Sequence, residues 1–162
     1  LLMSALTGGG GLLFGWAKPV PINPRYFRNP LKAMTITAAA GPLSNLLQMI
    51  FWVLLLKALA AVGFYDKFVI SVCAAGISVN LMLMAFNLIP IPPLDGSSII
   101  VPFLKGKALA NYYRLQQYAM PILILVLYLL PMWTGIDVIG RYFDVTVYPL
   151  AEQLLNFAIA GI

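Results

Sequence analysis

Three apolar stretches, Met34 to Val62, Phe68 to Ile89 and Leu115 to Trp133, decide what this chain can fold into. A helix of about 20 largely apolar residues crosses the ~30 Å hydrocarbon core of a bilayer. Inside lipid every backbone N–H and C=O needs a partner within the protein, which leaves helices and closed barrels as the spanning forms. Continuous apolar runs of this length, without strict alternation, read as helices. The composition agrees, with 62% hydrophobic and 9% charged residues among 162, far from the make-up of soluble domains. The sequence predicts an all-α fold: a polytopic membrane helix bundle, one membrane domain over 1–162, with a short extended proline-rich segment. A fourth run, Val145 to Ile162, is shorter and carries Pro149 and Glu152. It reads either as a tilted span or as an interfacial helix.

The proline-rich segment is "FGWAKPVPINPRYFRNPLK", in which each proline removes a donor and biases its predecessor toward extended backbone. Ahead of it, "LLMSALTGGGGLLF" lacks the charged leader and cleavage pattern of a signal peptide. It reads as the tail of a hydrophobic helix followed by a glycine hinge, and the expectation is that further sequence precedes Leu1. Within the first span, "AAAGPLSNLLQ" places Gly41, Asn45 and Gln48 in one small and polar stripe suited to close packing against another span. The lone cysteine, Cys73, lies inside an apolar run and reads as a packing residue.

Charge sets the expected orientation. Of the ten Lys and Arg residues, seven fall in two segments: Lys18, Arg25, Arg28 and Lys32 before the first span, and Lys105, Lys107 and Arg114 after the second. Basic residues concentrate in cytoplasmic loops, so both segments are expected on the cytoplasmic side of an integral, multi-pass protein. No basic–aromatic pattern of a nucleic-acid binder is present, and the expected surroundings are the lipid bilayer. No paired repeats of the transporter kind are visible either.

The second span closes on "NLIPIPPLDG", Asn87 to Gly96. By turn chemistry, Pro93, Asp95 and Gly96 suit a turn, and Asp95 suits the cap of a following helix. Asn87, two helical turns from Asn80, suits an interhelical hydrogen bond. Against these readings, ionisable groups near membrane depth are costly and usually functional.

Taken together, "FGWAKPVPIN", "AAGPLSN" and "NLIPIPPLDG", in that order around apolar spans, resemble the site-two protease family of intramembrane zinc metalloproteases. The resemblance covers nearly the whole chain. It implies that Asp95 is the third protein ligand of a catalytic Zn²⁺, whose other ligands come from an HExxH helix. It also implies that Asn87 holds the substrate carbonyl or oxyanion, and that the partner is a membrane-spanning protein substrate. Catalytic zinc commonly keeps three protein ligands and an open position for water, whose pKa it lowers toward ~7. Prolines just before Asp95 let the carboxylate turn back toward such a site.

The chain departs from the family pattern in having no histidine, hence no HExxH, and in carrying Ser97 where a second glycine often follows LDG. The expected function is therefore an intramembrane zinc endopeptidase to which this chain contributes the third ligand and the substrate-binding region, not a complete active site. The alternative is a non-catalytic membrane protein that holds a helix or partner in the same polar cavity. In "AKPVPIN", Lys18, Val20 and Ile22 keep N–H and C=O groups on one edge of an extended strand, suited to pairing with an unwound substrate. The same residues also suit an unpaired proline-rich linker.

Overall fold

The computed structural model describes residues 28–160, and among these residues the regular structure is helical throughout. Helix α1 (Pro30–Ala61) starts where Asn29 Oδ1 accepts a hydrogen bond from Lys32 N at 3.3 Å, with proline in the first turn. At about 1.5 Å per residue it is about 48 Å long, more than the ~30 Å hydrocarbon layer requires. It ends because Gly63 takes φ +72°. Gly63 N then donates to Ala60 O and Phe64 N to Leu59 O, both at 3.0 Å, which together satisfy the last carbonyls. Asp66 Oδ1 accepts from Val69 N at 2.9 Å and opens α2 (Lys67–Asn87). The short connection makes α1 and α2 an antiparallel hairpin.

The hairpin packs through Met49, Val53 and Leu56 of α1 against Cys73, Ile77, Leu81 and Ala85 of α2, all buried. The α2 set repeats every four residues, the row that forms a helix's packing ridge. Gly76 lies under the Trp52 ring, in space a Cβ would need. The lipid-facing side of α1 is apolar in its turn: Leu43, Leu47, Phe51 and Leu54 are all more than half exposed. Buried and exposed faces of similar polarity are the mark of a helix solvated by hydrocarbon.

Beyond α2 the chain turns through Leu88–Leu94, where Ile91 N donates to Ile89 O and Leu94 N to Ile91 O. It then forms the short helix α3 (Asp95–Ile100), a single 3₁₀ turn at Val101–Phe103, and α4 (Lys107–Gln117). Helix α5 (Ala119–Thr134) follows after a 72° bend and is wound as a π-helix over Leu125–Leu129. The apolar run from Leu115 to Trp133 is therefore not one straight helix. Pro121 has no N–H for the Gln117 carbonyl and its ring crowds that residue, so α4 ends at Gln117. Pro131 likewise cannot bond Leu127, which sits in the π stretch.

Helix α6 (Val138–Ile159), capped by Asp137 Oδ1 on Gly140 N at 2.7 Å, packs against both α1 and α2. It buries Val147, Ala151 and Ala158 in the shared core. Tyr142 donates from its hydroxyl to Ala85 O at 3.2 Å, and Lys57 Nζ lies 3.6 Å from the centre of the Phe157 ring. Helices α1 and α2 are each long and apolar enough to cross a membrane, and α4 with α5 makes a third candidate if the bent pair counts as one span.

The glycine under Trp52 gives a test of the hairpin. Gly76→Ala is expected to destabilise the detergent-solubilised protein by about 1–3 kcal/mol, the usual range for overpacking. Trp52→Leu in the same chain should restore part of the loss. Thermal unfolding of both variants checks this, and an unshifted midpoint for Gly76→Ala would show that the ring has room to move.

Candidate functional site

The end of α2, the start of α3 and the first half of α1 meet at one corner. Gly96 is buried with its α-carbon face against the carbonyls of Leu88 and Ile89, so close that a Cβ would overlap that backbone. This contact folds α3 back on the end of α2 and brings Asp95 to the same corner as Asn87. From the other side α1 packs on α3, and Gly41 of α1 faces the Asp95 carboxylate. A Cβ at Gly41 would fall inside the contact distance of Asp95 Oδ2.

Asp95 is the first residue of α3, and the N-cap position belongs to Leu94 with no side-chain capping bond. The cap suggested by turn chemistry is thus not made. Among the described residues the carboxylate has no hydrogen-bond partner and no ion pair. Burial pushes its carboxyl above the usual carboxylate range. Desolvation disfavours the charged form, and no neighbouring cation offsets it.

Asn87, the last residue of α2, is half-buried and its amide likewise has no hydrogen-bond partner. The interhelical bond expected of it is not made. Asn80, two turns earlier, is buried and donates to Gly76 O of its own helix at 2.8 Å. Ser97 is buried too; its hydroxyl donates to Leu94 O at 2.7 Å and lies 3.5 Å from the Tyr112 hydroxyl of α4. The residue that replaces the second glycine therefore ties the turn before α3 to α4. Lys18, Val20 and Ile22 lie outside the described residues.

Beside the corner runs an apolar cleft of about 300 Å³, lined by Pro42, Leu43, Leu46, Met84, Leu88 and Ile99. Pro42 follows Gly41 in the chain, Leu88 follows Asn87, and Ile99 lies one turn beyond Asp95, so the cleft is built from the same three helix segments as the polar corner. The sequence reading missed that Gly41 serves α3: a small residue in an apolar span reads as helix packing, and only its separation from "LDG" in space shows the carboxylate it accommodates.

A metal ion needs more than this corner provides. Among the described residues no group of three His, Cys, Asp or Glu side chains could hold a metal, and the chain contains no histidine. Asp95 is an oxygen donor of the right kind with its lone pairs uncommitted, yet alone it does not fit a zinc ion.

The Gly41 contact can be tested without any metal. Gly41→Ala should destabilise the chain by about 1–3 kcal/mol through its overlap with Asp95. In an Asp95→Ala background the same change should be neutral or stabilising by up to ~1 kcal/mol, the gain in helix propensity. Unfolding measurements on the four chains give the coupling. A cost that persists without the carboxylate would place the overlap elsewhere.

No family model matches the chain, and no solved structure matches it. A protein of Bacillus subtilis (strain 168) named "Putative zinc metalloprotease YwhC" is 34% identical over 155 residues, a match that covers 85% of this chain and 68% of the relative. With that identity across most of both sequences, the chain belongs to the zinc metalloprotease family of its Bacillus subtilis relative.

Proposed function

We propose that the chain is part of an intramembrane zinc endopeptidase of the site-two type, which hydrolyses peptide bonds of membrane-spanning protein substrates. The observation that carries this reading is Asp95: a half-buried carboxylate just past the end of a membrane helix, with no cap, ion pair or hydrogen bond among the described residues to account for it. Its lone pairs are available to a cation, Gly41 leaves the space its carboxylate fills, and Gly96 seats α3 on the Leu88 and Ile89 carbonyls. The remaining ligands, two histidines in the reading by resemblance, are not among these 162 residues. The zinc named in the relative supports the metal.

Each group has a part in this scheme. Asp95 supplies one oxygen ligand. Asn87, with two N–H donors free, hydrogen-bonds the carbonyl oxygen of the peptide bond to be cut, where negative charge develops. The apolar cleft takes a neighbouring side chain of the substrate. The proline-broken turn between Asn87 and Asp95 exposes irregular backbone at the membrane edge, tolerated where it lines a polar cavity. The basic segments before the first span and after the second support a cytoplasmic orientation of the site.

A second reading is a membrane protein that binds a helix in this corner without cutting it, favoured by the lack of a metal-binding group among the described residues. Two substitutions in the full-length protein separate the readings. Asp95→Ala is expected to abolish bound zinc and cleavage while leaving membrane insertion intact. Zinc stoichiometry of the purified variant decides, and zinc bound as in the parent would remove Asp95 from the ligand set. Asn87→Ala is expected to keep zinc and slow turnover on the order of 10²-fold, as for other oxyanion donors. Normal turnover would return Asn87 to a packing role.

A further inference from the structure

The two long helices hold four side-chain amides: Asn45 and Gln48 in α1, Asn80 and Asn87 in α2. In apolar surroundings an amide without a hydrogen bond is costly, so each needs an account. Two are satisfied within their own helices: Gln48 Nε2 donates to Ser44 O at 3.3 Å, and Asn80 Nδ2 to Gly76 O at 2.8 Å. Among the described residues Asn45 and Asn87 have no hydrogen-bond partner. Both lie on the helix segments that meet α3 at this corner. Asn87 directly precedes the Leu88 carbonyl on which Gly96 rests. Asn45 follows Gly41 by four residues, hence lies on the same face of α1 that meets the Asp95 carboxylate. Pro42, Leu43 and Leu46, its neighbours along α1, line the apolar cleft.

We propose that Asn45 is a second substrate-binding amide, which hydrogen-bonds a backbone peptide group of an unwound, membrane-spanning polypeptide. The identity of the bound peptide rests on the protease reading given above. A side-chain amide offers two N–H donors and a carbonyl acceptor, a match for the N–H and C=O of an extended peptide. Those groups lose their helical partners when a substrate unwinds, and in lipid no water replaces them. A fixed amide beside an apolar cleft takes both halves of such a residue, backbone and side chain. Four residues along α1 are about 6 Å, and an extended chain advances about 3.3 Å per residue. Asn45 therefore reads a peptide group about two residues from the one at Asp95, and it acts on binding, whereas Asn87 acts on the reacting carbonyl.

The test uses the zinc-loaded full-length enzyme and a model membrane-spanning peptide of about 20 apolar residues interrupted by Gly-Pro. Asn45→Ala should raise KM about 3- to 10-fold with kcat and bound zinc unchanged, the pattern of a lost binding contact. In the Asp95→Ala protein the same change should weaken equilibrium binding of the peptide by a similar factor. Asn45→Leu, which removes the amide and keeps an apolar side chain, should match Asn45→Ala in KM and unfold no lower than the parent. Unaltered KM and peptide affinity overturn the proposal; so does a lower unfolding temperature for Asn45→Leu, which would make Asn45 structural. If the parent enzyme binds the peptide in an Asn45-dependent way and never cleaves it, the protease reading fails and Asn45 stands. If it cleaves the peptide and Asn45→Ala is silent, the reading stands and the proposal for Asn45 falls.

Discussion

The corner around Asp95 depends on two missing methyl groups. Gly96 lets the backbone of α3 lie directly on the Leu88 and Ile89 carbonyls, and Gly41 leaves the volume that the Asp95 carboxylate fills. A side chain at Gly96 would hold the elements apart, since overlap with backbone cannot be relieved by a rotamer change, and one at Gly41 would displace the Asp95 carboxylate. Everything else at the corner follows from this approach. Asn87 is brought to the carboxylate's neighbourhood, Ile99 is brought over Leu88 and Met84 to close the cleft, and Ser97 is turned inward toward Tyr112.

The polar groups at this corner contrast with several hydroxyls elsewhere in the helices. Thr37, Ser44, Ser71, Thr134 and Thr146 each donate to a carbonyl one turn back in their own helices. Even Lys57 has the Phe157 ring to face. Among the described residues the Asp95 carboxylate and the Asn45 and Asn87 amides make no such bond, and the ligand-binding roles proposed for them rest on that.

Much of this was legible in the sequence. The helical class and the membrane setting follow from the lengths of the apolar runs, which no tertiary contact has to override. The motif "LDG" singled out Asp95, because a carboxylate at a span's end has few structural excuses. Other features were not legible. The run from Leu115 to Trp133 reads as one span by hydropathy, yet its shape turns on Pro121, a residue as apolar as its neighbours but unable to bond Gln117. The expected cap at Asp95 was a local inference, and the register of α3 gave that position to Leu94. Gly41 and Asn45 read as packing residues because α3, the element that gives them meaning, lies in a later part of the chain and meets α1 only through the fold. Lys18, Val20 and Ile22 lie outside the described residues, so their part rests on sequence alone.

The α1–α2 hairpin also bears on the order in which the protein is made. Its connection is five residues, Val62–Asp66, and α3 follows after one compact turn, so the Gly41–Asp95 and Gly96–Leu88 contacts and the cleft join positions between Ala39 and Ile99, while the Ser97–Tyr112 contact waits for α4. Contacts of short sequence separation form early, and chains fold from the N-terminal side as they are synthesised. The carboxylate, both bare amides and the cleft can therefore be in place in the nascent chain before α4, α5 and α6 have left the ribosome. The later helices then dock onto a corner that is already built, with α6 adding Val147, Ala151 and Ala158 to the far side of the hairpin.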